Sequence, residues 1–496
     1  VVCDNVKLAG PHRGHCVGVA VILSAFIVSR ILCLVCGTRF DDSSLDWHWQ
    51  YLDVPLLTDN LLASCFYLHS QPPGFNLLLG WVLKIAPAHS TLVFHLLFIG
   101  CGLTLAISIY STLATLRVNR NLAVLLPVLF LISPPVLLYE NYLFYTYPVA
   151  ALLSLATALL ASYIRTNRTG YVFGFFLVLA AVCCIRSMFH LVYLLGCLAL
   201  ITMLRPSQWR NLCMAAMPAL LLVFSLYLKN AILFGTFGAS SWLGMNLWNV
   251  ARENAPRGPL IQLMESERLI EVVNYPTFKP LSTYPARYNQ VPDRFAGIDA
   301  LTLELKQSGH PNLNHYGYIL LEKEYRRASV LTVRTFPRSY LRSVADGFLI
   351  YFSPSAHYRY LQGNAAQMKQ YVTSWNEMGS SAKVDLSSVY RALFGEQISV
   401  SYPWPWLVCL PLVFVAGVIF LFIRRVTYGL RRTEVRVVCA FSLFTIAFVA
   451  LVGNFFDLGE NNRFRFLTNP FYFVLFSLCV DRLIRFTRHF YADLRG

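Results

Sequence analysis

The chain has 496 residues, of which 56% are hydrophobic, 15% aromatic and only 13% charged, and its mean hydropathy is +0.52. A soluble domain carries about a quarter charged residues, so this composition excludes an ordinary soluble enzyme and predicts an all-α polytopic membrane protein. The net charge of +16 does not call for nucleic acid as a partner, because Lys and Arg gather in the inner loops of multi-pass proteins and anionic lipid can use the remainder.

Many apolar runs reach about 17–23 residues, long enough to cross a hydrocarbon layer of ~30 Å as helices. The first covers residues 16–37. It is too long for a signal-peptide core and is expected to stay as an anchor. Lys7 and Arg13 precede it and place that end inside. Arg30 lies within it, where a charge must snorkel or meet an anionic partner. The first external loop, 38–90, follows. It opens with F-D-D-S-S-L-D-W-H-W-Q-Y-L-D from Phe40 and continues to H-S-Q-P-P-G-F-N-L-L-L-G from His69. Residues 46–53, with Trp47, Trp49 and Tyr51 among their acids, fit an amphipathic interfacial helix. Residues 73–86 form a second apolar helix only ~21 Å long, expected to begin and end outside, lying in the interface or dipping into the membrane.

Further spans are expected at 91–112, 121–138, 147–164, 171–184, 191–204, 212–228, 406–423, 438–455 and 469–480. With the first, that makes about ten crossings, with both ends inside. Arg117, Arg120, Arg165, Arg168, Arg205, Arg210, Arg424, Arg425, Arg431, Arg432, Arg436 and the tail arginines 482, 485 and 488 then share the inner side. Three parts result: a module over 1–230, an external segment over 231–402 and C-terminal membrane helices over 403–496. Within the external segment, 316–335 reads as an amphipathic helix. Residues 340–352 read as a more apolar one that could rest on the membrane surface. Most of the thirteen cysteines fall in apolar spans, where Cys behaves as a small hydrophobe. None lies between 231 and 402, so the external segment is no disulfide scaffold.

The chemistry-bearing residues cluster on the external side. Asp41 and Asp42 follow closely on the first span, within reach of a lipid headgroup and an aqueous acceptor together. Either suits a general base; a solvated loop acid or helix cap is the plainer reading. His69 and Gln71 precede the rigid Pro72-Pro73 pair, well suited to open a helix. Glu140 offers a further carboxylate at the second external loop. Arg186, Lys229, Arg463 and Arg465 run against the positive-inside trend, and guanidinium forks match phosphate geometry; snorkelling or pairing with Glu460 would also account for the last two. No HExxH, CxxC pair or tight His/carboxylate spacing suggests a metal. No Walker A loop, dinucleotide fingerprint or G-x-S-x-G elbow suggests a nucleotide, cofactor or serine nucleophile. The Asn167-Arg168-Thr169 sequon falls on the inner side and is expected to be unused.

Together these pieces resemble the integral-membrane glycosyltransferases of the GT-C superfamily, most of all the branch of protein O-mannosyltransferases and the bacterial aminoarabinose transferase. The likeness rests on Arg30 with Asp41-Asp42, on H-S-Q-P-P-G-F-N beside that branch's H-P-P-L motif, on Glu140, and on G-E-N-N-R-F-R-F-L-T-N-P before the last span. The inserted Ser-Gln and the crossing count depart from some members. The resemblance implies a polyprenyl- or dolichyl-phosphate sugar donor and an acceptor hydroxyl on a glycan, protein or lipid. It also implies an inverting displacement on the external face of a bacterial plasma membrane or endoplasmic reticulum, with a first-loop aspartate as base. On it, Arg463, Arg465, Arg186 and Lys229 would hold the phosphate, and His69 and Gln71 would position sugar or acceptor. The rival readings are a lipid-linked sugar flippase or transporter, and a non-enzymatic membrane scaffold.

Overall fold

The computed structural model describes residues 11–376, 383–385, 387–394, 401–403, 405–422 and 432–493. Lys7, Arg424, Arg425 and Arg431, assigned above to the inner side, lie outside these residues. Among the described residues six helices are long and apolar enough to cross a membrane: His15–Val35, Pro87–Thr115, Thr146–Thr166, Pro206–Phe234, Thr433–Phe456 and Asn461–Arg488. The pair Arg120–Ile132 and Pro134–Glu140, bent by 58°, makes a seventh if it is counted as one span. The bend has a local cause. Proline disfavours helical backbone in the residue before it, and Ser133, before Pro134-Pro135, is extended with ψ at 140°. Shorter apolar helices cover Gly74–Ile85, Thr169–Ile185, Leu191–Leu204 and Leu407–Phe422. The one strand pair among the described residues joins Lys383–Asp385 to Ser401–Pro403. The chain is therefore all-α and of multi-pass membrane type.

The Thr146–Thr166 helix is the hub. It packs against the Ser90–Thr115, Thr169–Ile185, Arg432–Phe456 and Asn461–Asp493 helices. Ala150, Ala151, Ala156 and Ala161 on its surface are all buried, and small side chains let neighbouring backbones approach closely. The first helix lies at the rim, with Val28, Ile31 and Leu32 exposed as an apolar face for lipid. Its Arg30 turns inward instead. Arg30 Nε and Nη2 donate to Glu140 Oε1 and Oε2 at 2.8 and 2.7 Å, and the Tyr147 hydroxyl donates to Glu140 Oε2 at 2.7 Å. The guanidinium also stacks 3.8 Å from the Phe26 ring centroid.

The two ends of the bundle differ. At one end Arg485 Nη2 donates to Arg117 O at 2.8 Å, Asn119 N to Asp481 Oδ1 at 2.8 Å, and Arg205 Nη2 to Asn167 Oδ1 at 2.7 Å. The 38–90 loop and the segment after Phe234 cover the other end. The expected 46–53 helix does not form: only Ser44–Trp47 is helical there, and two short helices, Val54–Thr58 and Leu61–Phe66, follow it. Asp53 ends the first stretch by accepting from Val54 N at 3.0 Å, just before Pro55. In the segment above, Leu243–Glu253 crosses Gly317–Thr335 at Gly244, where any side chain would strike Glu322 O and Arg326 N. The Pro337–Phe352 helix, expected on the membrane surface, packs on the last two long helices instead. Tyr340 Oη donates to Phe455 O at 2.7 Å, and Gly347 faces Asn454 and Asn461.

Candidate functional site

A cavity of about 730 Å³ opens at the covered end of the bundle. Its floor is built by two turns. The first is 186–190, between the Thr169–Ile185 and Leu191–Leu204 helices. The second is Asp457 to Glu460, between the last two long helices. Gly459, at φ 114°, makes the second turn tight. The Asn461 side chain then locks it, donating to Gly453 O at 3.2 Å, Asn454 Oδ1 at 2.9 Å and Asp457 O at 3.1 Å. One wall is apolar, with Val192, Tyr227, Phe237, Val452 and Phe456 from or beside the membrane helices. A second wall is polar, with Asn246, Asn249, Arg252 and Glu253 from the Leu243–Glu253 helix. Trp47, His48, Trp49 and Gln50 of the first loop close the third side.

Arg186 dominates the floor. It is 5% exposed, and its Nε and Nη1 have no hydrogen-bond partner among the described residues. Its guanidinium lies between the Tyr145 and Phe464 rings, at 5.0 and 4.9 Å from their centroids. Burial, with Arg463 nearby, lowers its hold on its proton. A buried, uncompensated charge is costly, and an anion entering the cavity would relieve that cost. Arg463 stands beside it on the cavity lining, 4.7 Å from the Phe144 centroid. Its Nη2 pairs with Glu460 Oε2 at 2.6 Å and its Nη1 donates to Tyr145 Oη at 3.3 Å. Gln71 joins them, accepting from Ser187 Oγ at 3.0 Å.

The other residues singled out in the sequence lie elsewhere. Neither Asp41 nor Asp42 lines the cavity. Asp41 Oδ1 accepts from Ser43 N and Oγ at 3.0 and 2.7 Å, and its backbone bridges Asn141 and Leu143. Asp42 Oδ2 accepts from Thr91 Oγ1 at 2.6 Å. Glu140, expected as a loop carboxylate, is fully buried in the Arg30 clamp and does not line the cavity. His69 is a tether: Nδ1 bonds Ser241 Oγ at 2.6 Å and Nε2 bonds Asn314 O at 2.8 Å. Burial first, and Lys229 second, push its pKa down to about 3. Lys229 donates to Phe66 O and Leu68 O at 3.0 and 2.6 Å, closing a helix end rather than facing the cavity. Arg465 is spent on Phe352 O at 3.0 Å and Ser355 Oγ at 2.8 Å.

Two cavity residues, His48 and Asp457, carry no role in the sequence reading, and Glu460 only that of a partner for the arginines. His48 is 5% exposed and stacks on Phe144 at 4.3 Å between centroids. Burial, then Arg463 and Lys306, hold it neutral. Glu460 gathers Arg463 at 2.6 Å and Arg359 at 3.3 Å. Asp457 follows directly on an apolar run, the same signal that drew attention to Asp41. No grouping of His, Cys, Asp and Glu suited to a metal occurs among the described residues. Comparison with family models, curated proteins and solved structures yields no match. The site thus belongs to an all-α multi-pass membrane protein, and the likeness to GT-C enzymes rests on the motifs alone.

Proposed function

We propose that the protein is a GT-C-like, inverting glycosyltransferase that takes its sugar from a polyprenyl or dolichyl phosphate. One observation carries the reading: a buried guanidinium, Arg186, stands unpaired on the floor of a cavity whose two main walls differ in chemistry. The apolar wall suits an isoprenoid chain entering from the bilayer. The polar wall suits a hydroxylated acceptor entering from water. In this reading the acceptor oxygen bonds to the anomeric carbon as the carbon–phosphate oxygen bond breaks. The electron pair leaves on the phosphate, between Arg186 and Arg463.

The acceptor proton goes to a first-loop aspartate, Asp41 or Asp42. This requires the loop to shift, since Ser43 and Thr91 hold both carboxylates off the cavity. This reading keeps ten crossings by counting the six long helices, the bent pair and three of the shorter apolar helices as spans, with Gly74–Ile85 in the interface. The cavity then opens on the external or lumenal face, opposite the basic loops.

The test is sugar transfer in proteoliposomes from a panel of undecaprenyl-phosphate-linked hexoses, pentoses and aminosugars. Wild type is expected to release undecaprenyl phosphate, and Arg186→Gln to lose at least about 100-fold, the scale of one transition-state charge contact. Translocation of labelled lipid without product would favour the flippase reading. Wild-type turnover in both Asp41→Asn and Asp42→Asn would remove the base from this loop.

A further inference from the structure

The floor of the cavity holds more than its two arginines. Of the three carboxylates on the lining, Glu253 belongs to the Leu243–Glu253 helix and not to either turn of the floor. Glu460 is engaged by Arg463, by Arg359 and by the Tyr358 hydroxyl at 3.4 Å. Asp457 is different. Its Oδ1 accepts only from the next backbone amide, Leu458 N, at 2.8 Å, and its other oxygen has no partner among the described residues. The backbone of the turn that carries it is locked by Asn461, whose amide donates to Asp457 O at 3.1 Å. Yet Asp457 makes no direct ion pair with Arg186 or Arg463, although both lie within its electrostatic range. An anion held by Arg186 and Arg463 therefore arrives in the same cavity as this carboxylate.

We propose that Asp457 binds the phosphate as a neutral acid: the site takes up a proton with its ligand, and the Asp457 hydroxyl donates a hydrogen bond to a phosphate oxygen. This rests on the phosphate reading given above. Two like charges at hydrogen-bond distance cannot both stay ionised. The two guanidinium groups favour the Asp457 carboxylate in the empty site. A phosphate between them cancels that influence and adds its own charge. Burial and Glu460 already push the Asp457 pKa up to about 7, against the pull of Arg463 and Arg186. Little further work is then needed to protonate it. The groups facing it are Glu460 on its own turn, Arg463 on the Asn461–Asp493 helix and Arg186 on the 186–190 turn. His190 also lines the cavity, but burial lowers its pKa, so it stays neutral near pH 7.

Proton uptake gives the site a preference. A donor phosphodiester carries one negative charge and accepts a hydrogen bond from the neutral acid. The same acid remains beside the oxygen on which charge grows as the sugar leaves, where such a donor helps most. Affinity should follow the protonated fraction of Asp457: highest below pH 7 and falling about tenfold from pH 6 to pH 8 if only the protonated form binds.

The probe is the methyl diester of citronellyl phosphate, which stays monoanionic across this range. Its binding to the full-length protein in detergent would be measured by calorimetry at pH 7.5 in two buffers of different ionisation enthalpy. More than half a proton taken up per diester bound is expected from the linkage. Asp457→Asn should take up none and bind with the same affinity at pH 6 and pH 8, while His190→Gln should behave as wild type. Binding without proton uptake by wild type overturns the role of Asp457, and so does unchanged uptake in Asp457→Asn. Arg186→Gln separates this from the reading beneath it. If Arg186→Gln binds the diester as wild type does, or wild type binds none, the phosphate site itself is wrong and Asp457 falls with it. If Arg186 is required and no proton is counted, only Asp457 is wrong.

Discussion

Arg30 and Arg186 show two fates for a guanidinium in an apolar bundle. Arg30 is answered on both arms by Glu140 and on its face by Phe26, so its charge is complete within the protein. Removing one member of such a pair leaves the other buried and unmatched, which costs about 3–5 kcal/mol. Glu140→Gln should therefore lower the unfolding midpoint in detergent, and Arg30→Met with Glu140→Leu should recover most of it. A single variant as stable as wild type would show that the pair carries no structural weight. Arg186, by contrast, has no such answer, and that incompleteness is what marks it for a ligand. His69 belongs to the first kind. Its pKa of about 3 lies below its unfolded value, so protonation favours unfolding. The stability it contributes is present above about pH 6.5 and is lost as pH falls toward 3, roughly 2 kcal/mol by pH 5. Unfolding free energies from urea titrations at pH 7 and 5 should differ by that amount in wild type and by less in His69→Gln.

The elements carry the site by where they stop. The Thr169–Ile185 helix ends one residue before Arg186, and the Arg432–Phe456 helix ends one residue before Asp457. Both side chains thus stand at the mouth of a helix pair rather than in lipid. The cover is hinged on Gly244, where the Leu243–Glu253 and Gly317–Thr335 helices touch backbone to side chain and backbone. Gly244→Leu should part them, raising amide exchange across both helices while the long apolar helices stay protected. Unchanged exchange would mean the crossing adjusts freely. The His69 tether, from Ser241 and Asn314 to the H-S-Q-P-P-G stretch, joins this cover to the membrane part. A residue read as positioning substrate thus holds two parts of the scaffold together.

Across the whole molecule, the long helices were legible because lipid demands unbroken apolar runs, and 16–37, 91–112 and 438–455 fall on helices with small shifts at their ends. The basic loops were legible from their arginines, and their residues meet as neighbours: the 117–119 stretch joins 481–485, and Arg205 joins Asn167. Burial was harder to read. Glu140 looked like a loop acid because its partner Arg30 lies 110 residues earlier, and no local pattern joins them. Arg463 and Arg465 looked alike. Helical rotation between them turns one to the cavity and the other to Phe352 O and Ser355. Asp457 carried the same local signal as Asp41, a carboxylate just past an apolar run. Only the packing of distant helices decided which of the two lines the cavity.

The most direct measurement is a cryo-EM map of the protein with undecaprenyl phosphate. Phosphate density is expected on the cavity floor, with oxygens at hydrogen-bond distance, about 3 Å, from Arg186 Nε or Nη1 and from Arg463, and the isoprenoid chain running out past Val192 and Phe456. Phosphate density away from Arg186, or an Arg186 guanidinium that stays unpaired in the lipid complex, would contradict the phosphate reading.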